Sequence, residues 1–153
     1  MSRVYSNEQV VTDLDVAKHR LYEESLTLVI VKNGKAVYET RSHRISGFLE
    51  AIDTAGEEIR DSSVADRVIG KAVAMLCVYA KVKRVYAVVL SRQAQTVFEK
   101  HKIAYKSEQL VENVLDSNKT DTCPFERVAA DISDPKEAYL AFKILHQNLK
   151  QCK

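Results

Sequence analysis

The stretch "SSVADRVIGKAVAML", residues 62–76, sets an acid, Asp66, and two bases, Arg67 and Lys71, at the start of a run that is otherwise apolar. A carboxyl in such surroundings can give or take a proton, and a lysine can hold an anion as a point charge. Ser63 and Asp66 also fit the S-x-x-[DE] capping box, which explains the acid as helix punctuation without any chemistry. On residue types alone the capping reading is the stronger of the two. Read as a helix over roughly 64–81, the run places Asp66 near the N-terminus, where aligned peptide dipoles favour negative charge. Arg67 and Lys71, four apart, then form its solvated edge. Glycine inside a helix costs about 1 kcal/mol, so Gly70 marks a close helix–strand contact.

A second candidate is "CPFE" at 123–126. Pro124 suits the first position of a helix, so Cys123 stands near an N-cap, where a thiol ionises to the nucleophilic thiolate more readily. Glu126 repeats the capping spacing, and its charge would oppose the thiolate. A half-buried cysteine at a capped turn is the competing reading. Cys77 lies inside the apolar run and reads as core, and Cys152 belongs to a frayed terminus. Ser91 ends an apolar strand, the place where open α/β sheets bind ligands. There is no Walker motif, G-x-G-x-x-G or other Gly-rich phosphate loop. His19, His43, His101 and His146 have no partner at metal-ligand spacing, and a zinc site needs at least three converging ligands. No metal and no cofactor are expected. Tyr79 and Tyr86 read as packing residues.

These residues need elements to hold them. Thr12 and Asp15 form a capping box, and Leu14, Ala17 and Leu21 follow at helical spacing, giving a helix over 13–23. "LTLVIV" (26–31) is apolar on both faces, as a covered central strand is. "NG" at 33–34 predicts a type I′ hairpin into "KAVYET". A short helix is expected within 45–58, the buried helix over 64–81, and a strand at "RVYAVVLS" (84–91). "QAQTVFEKH" reads as helix, "IAYK" as a short strand, and "SEQLVENVLDS" as helix again. "DPKEAYLAFKILHQNLK" opens with Asp134 as N-cap, Pro135 and Glu137, and buries Ala138, Ala141, Phe142, Leu145 and Leu149. A hairpin followed by strand–helix alternation gives an α/β three-layer sandwich with a mixed sheet, antiparallel first and then parallel. One domain spans 1–153, with its core at about 26–145 and the 13–23 helix appended.

The totals narrow the function classes. A chain of 153 residues with 46% hydrophobic and 29% charged residues is an ordinary globular domain. The net charge of +2 gives nucleic-acid binding no general support, and the best basic segment, "RSHR" at 41–44, reads as a solvated loop. The polar, acid-bearing amino terminus argues against a secretory signal, and no stretch reaches the roughly 18–20 apolar residues that span a bilayer. Three cysteines, odd in number and far apart, argue for a reducing compartment. A cytoplasmic location is expected.

The element order resembles the cytidine-deaminase-like fold. In zinc deaminases of that fold H-x-E opens the helix after the hairpin and P-C-x-x-C opens the helix after the next strand. Laid on that plan, this chain has Val64, Ala65 and Asp66 where the first motif is expected, and Ser91, Arg92, Gln93, Ala94 and Gln95 where the second is. Neither segment can hold zinc. "DRVIGKAVAML", "CPFE" and "RISGFLEAI" resemble signature segments of a small bacterial family of uncharacterised function with this sheet and without the metal motifs. The resemblance covers about Leu26 to Phe142. It singles out Asp66, Gly70 and Lys71 on one element and Cys123, Pro124 and Glu126 on another. It also implies that Asp66 and Ser91 are neighbours in one pocket, where two exposed helix N-termini would suit a phosphate, a carboxylate or a base edge.

Three functions follow as expectations. One is a metal-free domain binding a small polar ligand such as a nucleoside or nucleotide, through Lys71, Ser91 and Glu126. Another is a metal-free enzyme with Asp66 as acid or base and Cys123 as nucleophile or group carrier. The third is an interaction module, meeting a partner or a second copy as a homodimer.

Overall fold

The computed structural model describes residues 5–6, 9–42, 45–114 and 123–151. Two short strands, β1 (Tyr5–Ser6) and β2 (Gln9–Val10), pair antiparallel ahead of the main body. Helix α1 (Asp13–Glu23) starts with the expected box: Thr12 Oγ1 accepts from the Asp15 amide and the Asp15 carboxylate accepts from the Thr12 amide, both at 3.1 Å. Strands β3 (Leu28–Lys32) and β4 (Lys35–Thr40) form the hairpin. Asn33 and Gly34 turn at φ 55° and 82°, the type I′ signature. The Asp13 carboxylate accepts from both of their amides at 2.9 Å, tying α1 to the turn.

Next come α2 (Ser46–Ala55), a single 3₁₀ turn (Gly56–Ile59) and β5 (Ser63–Ile69). Then α3 (Lys71–Tyr79), β6 (Arg84–Ser91), α4 (Arg92–Lys100) and β7 (Ala104–Val111) alternate. The short α5 (Pro124–Ala129) and the long α6 (Pro135–Gln151) close the chain. The main sheet runs β4-β3-β5-β6-β7, with β3 antiparallel to both neighbours and β5, β6 and β7 parallel. This is the mixed α/β sheet that the sequence predicts.

Parts of two expected helices are strands, although 71–79 of the first is helical as expected. Residues 63–69 form the central strand β5, with Val64 in the core on one face of the sheet and Ala65 in the core on the other. An apolar run buried on both sides looks alike as strand or helix, and the break is Gly70, where the strand gives way to α3. The Ser63–Asp66 spacing is a capping pattern with no helix behind it. Likewise "SEQLV" (107–111) extends β7, because its backbone pairs with β6 as far as Val111. Of the rest of that expected helix, 112–114 are not helical and 115–117 lie outside the described residues, as do His43, Arg44 and Cys152.

The larger core joins Leu28, Ile30, Val64 and Ala87 of the sheet to α2, α3, α4 and α6. Phe48, Phe98 and Phe142 are fully buried there, each contributing roughly 2–3 kcal/mol of transfer free energy. A smaller core under α1 holds Ala17, Leu21, Val29, Val31, Ala65 and Tyr86. Helices therefore cover both faces of the sheet in three layers, and α6 packs along α3 with Tyr139 stacked on Tyr79 at 4.3 Å. Helices α1, α3 and α4 end in Schellman turns whose left-handed positions are Ser25, Lys81 and Lys102, not glycine. No described helix is long and apolar enough to cross a membrane.

Candidate functional site

Asp66 stands on β5 opposite Leu28 and Ala87, both in the larger core, and residues directly opposite share a face. Its carboxyl therefore lies on the α3 side of the sheet. Burial pushes its pKa up to about 7, against the opposing help of the Val68 and Arg67 amides and the Arg67 charge. The buried Cys77 thiol of α3 is pushed well up, first by burial and then by the charge of Asp66. Arg67 is not a solvated helix edge. It points to the α1 side, where Nε donates to Leu26 O at 2.8 Å and a terminal nitrogen to Leu21 O at 2.9 Å.

Gly70 is the N-cap of α3 and has no side chain to cap with. Glu126 does it instead, accepting from the Lys71 amide at 2.9 Å and the Ala72 amide at 2.7 Å. It does not close its own turn, as the capping spacing suggests. A Cβ on residue 70 would sit 2.6 Å from the carboxyl atoms of Glu126, so this approach requires glycine. Glu126 is 8% exposed. Burial raises its pKa, opposed by the two amides and by the charge of Lys71. Lys71 in turn donates from Nζ to Ala130 O, the C-cap of α5, at 3.2 Å. The two helices thus cap each other: a carboxylate from α5 on the N-terminus of α3, and an ammonium from α3 on the C-terminus of α5.

Cys123 is the N-cap of α5, as expected, with its carbonyl accepting from the Glu126 and Arg127 amides and its thiol making no cap hydrogen bond. It is buried. Ser91 is fully buried and caps α4, accepting from the Ala94 amide at 3.1 Å. Both helix N-termini that were expected to be exposed are therefore filled by the chain's own side chains.

Because Ile69 pairs with Leu90, Gly70 and Ser91 leave the sheet at the same edge. Lys71, Ser91, Glu126 and Cys123 belong to that edge. Asp66 does not: it pairs with Ala87, four residues before Ser91, or roughly 13 Å along a strand rising about 3.3 Å per residue. The expected Asp66–Ser91 contact is absent.

The deaminase plan also shifts by one element. The helix after the hairpin is α2 and the helix after the next strand is α3, so the two starts carry Ser46, Gly47 and Phe48, and Gly70, Lys71 and Ala72. A lysine beside a glycine, with a carboxylate already bound to backbone amides, does not fit a zinc ligand set. Among the described residues no three His, Cys, Asp or Glu side chains gather where a metal could be held.

Among the described residues, cavities open in the helical layer. A pocket of about 240 Å³ between α3 and α4 is lined by Lys71, Gln93, Thr96, Lys100, His101 and Ser133, over a floor including Met75 and Val97. A cleft of about 780 Å³ past the end of α3 includes Arg60, Tyr79, Lys81, His101 and Lys136. Asp66, Ser91, Cys123 and Glu126 line neither, and Lys71 lines the smaller. The sequence does not show that these residues come together, because they come from segments far apart in the chain; Tyr79, expected only to pack, lines the cleft as well.

Comparison with known proteins agrees with this fold. A crystal structure of a DUF1893 family protein (TM1506) from Thermotoga maritima superposes with a TM-score of 0.80, at 21% identity, over 94% of this chain and 96% of that one. Two forms of Acinetobacter baumannii RibD match at a TM-score of 0.47, with 17% and 16% identity. They cover 54% and 63% of this chain, and 28% and 35% of theirs. No curated protein matches in sequence. The profile of the domain of unknown function DUF1893 matches residues 16–145, taking in most of α1, which the resemblance from Leu26 onward had left out. The chain belongs to the DUF1893 family.

Proposed function

We propose that the chain is a metal-free domain that binds a small polar metabolite of the nucleoside or nucleotide class in the pocket beside Lys71. One observation carries this reading: Lys71 is the expected site residue that borders a cavity, and its backbone is fixed there by the carboxylate of Glu126. An apolar floor with a few converging polar groups is the usual make-up of a ligand site. Lys71 and Lys100 supply positive charge, and Gln93, Thr96 and Ser133 supply hydrogen-bonding groups. At about 240 Å³ the pocket would take one part of such a ligand, its sugar or a phosphate group, with the remainder outside it. Ser91 and Glu126 act from behind, by holding the starts of α4 and α3.

A thermal-shift screen with nucleosides, nucleotides and amino-sugar metabolites tests this. At least one compound should raise the melting temperature, and Lys71→Met should remove the rise. A flat response across the panel counts against the reading.

A second reading, acid–base chemistry at Asp66, is favoured by one observation, the carboxyl raised to about 7. A group titrating near neutrality can serve as acid or base. With a binding compound in hand, Asp66→Asn should keep binding and lose any turnover. Unchanged turnover would leave Asp66 a structural acid. The Cys123 part of this reading needs a thiol that reagents can reach.

A further inference from the structure

We infer that the larger cleft is a separate binding site for a nucleoside phosphate, a ligand with both a flat ring and several negative charges. This does not rest on the pocket at Lys71. The cleft is bordered by the 3₁₀ turn after α2, the last turn of α3 and the first turn of α6. Its volume of about 780 Å³ falls in the range of about 300–1,000 Å³ typical of small-molecule sites.

Charge selects the ligand. Arg60, Lys81 and Lys136 line the cleft, and none of them makes an ion pair among the described residues. Glu57 and Asp134 are the carboxylates on the same wall. Asp134 is already engaged, accepting from the Glu137 amide at 3.1 Å as the cap of α6. His101 lines both cavities, and Ser133 of the pocket adjoins Asp134 of the cleft. Within the cleft three cations face two carboxylates. The cleft's cations outnumber its carboxylates, so an anion bound among them gains a favourable Coulomb interaction. Arginine and lysine are the usual partners of phosphate oxygens.

The ring preference comes from Tyr79. It stacks on Tyr139 with centroids 4.3 Å apart and ring planes 12° from parallel. Both rings line the cleft, Tyr139 the more deeply buried and Tyr79 half-buried. A nucleobase laid on Tyr79 would extend a stack that already exists, and base–aromatic stacking is favourable for every base. The charges alone would suit any polyanion, and the tyrosine narrows the choice to one carrying a flat ring.

Lys81 provides an unusual test. It holds the left-handed position of a Schellman turn at φ 62°, a conformation that glycine adopts without steric cost. Lys81→Gly should therefore unfold at a higher temperature while losing a phosphate partner. Titration calorimetry would use ADP, adenosine and inorganic pyrophosphate at low salt. ADP should bind with a Kd of about 1 mM or tighter, pyrophosphate more weakly and adenosine weakest.

Lys81→Gly and Lys136→Ala should each weaken ADP about tenfold. Tyr79→Leu should weaken ADP and leave pyrophosphate unchanged. Three results would overturn the assignment: no heat with ADP or pyrophosphate, ADP binding unchanged in Lys81→Gly, or a short single-stranded RNA that competes ADP away and binds far more tightly. Binding lost in Lys71→Met but kept in Lys81→Gly would overturn the cleft and leave the pocket reading standing, and the reverse pattern would do the opposite.

Discussion

Gly70 and Glu126, 56 positions apart in the chain, share one small space: the Cβ that residue 70 lacks would lie 2.6 Å from the carboxyl of Glu126. That carboxyl bonds the first two amides of α3, while Lys71 reaches back to the end of α5. The start of α3 and the end of α5 are thereby satisfied within the molecule. This leaves the side chains around Lys71, and not the bare helix terminus, to meet a ligand.

Gly70→Ala should displace Glu126, since the carboxyl tip is the part free to move. The cost is the lost cap, about 1–2 kcal/mol. Glu126→Ala should cost a similar amount, and the double variant scarcely more than either alone, because both remove one interaction. Urea unfolding of the three variants checks this. Additive losses would mean that the two residues act separately.

Stability should fall as pH rises. Asp66 titrates near 7 in the folded protein, above the ordinary value of 3.8, so the folded state holds a proton that the unfolded chain has released over that interval. The stabilisation is complete below the ordinary value and is lost as pH climbs through about 7. The whole effect is on the order of 2–4 kcal/mol. Glu126, also raised, adds to the same slope. Urea midpoints between pH 5 and 8 should decline for the parent chain and much less for Asp66→Asn.

Arg67→Met should loosen α1 from the sheet, removing two hydrogen bonds to the Leu21 and Leu26 carbonyls. Leu21 O keeps a second donor, the Leu26 amide at 3.0 Å, so the loss should stay at about 1–3 kcal/mol. Hydrogen exchange should quicken in α1 before it does in β5 and β6. Uniform quickening would show that α1 and the sheet open as one unit.

Lys102→Gly should stabilise the protein by about 0.5–1 kcal/mol. Its backbone is left-handed at φ 59° and its side chain is exposed. Calorimetric melting should show a higher Tm, and a lower one would mean that the lysine makes a contact worth more than the backbone strain.

Cys123 should label slowly. Its residue is 8% exposed, and the carboxyl of Glu126 stands three positions on. In a Cys152→Ser background, a neutral thiol reagent should react with the folded protein far more slowly than with free cysteine. Fast labelling would revive the nucleophile reading.

Much of the fold is legible in the sequence, because its signals are local. Thr12–Asp15, Asn33–Gly34 and Asp134–Pro135 each fix a boundary through their own backbone chemistry. The central strand is not legible: Ser63-Val-Ala-Asp reads as a helix start, and only β3 and β6 on either side make it a strand. That error carried Asp66 to the wrong place and shifted the deaminase plan by one element. The sequence points to Lys71, Gly70 and Glu126 singly, but not to their relation, since a cap supplied from 55 residues away leaves no local pattern. The cations of the cleft are scattered from Arg60 to Lys136, so no basic segment announces them.

The most direct test of the account is an amide-detected NMR titration with a compound from the nucleoside and nucleotide panel that shifts the melting curve. Saturable shifts should cluster at Lys71, Gln93, Thr96 and Ser133 and be abolished in Lys71→Met. Shifts confined to β5 around Asp66, with Lys71 and its neighbours unmoved, would contradict it.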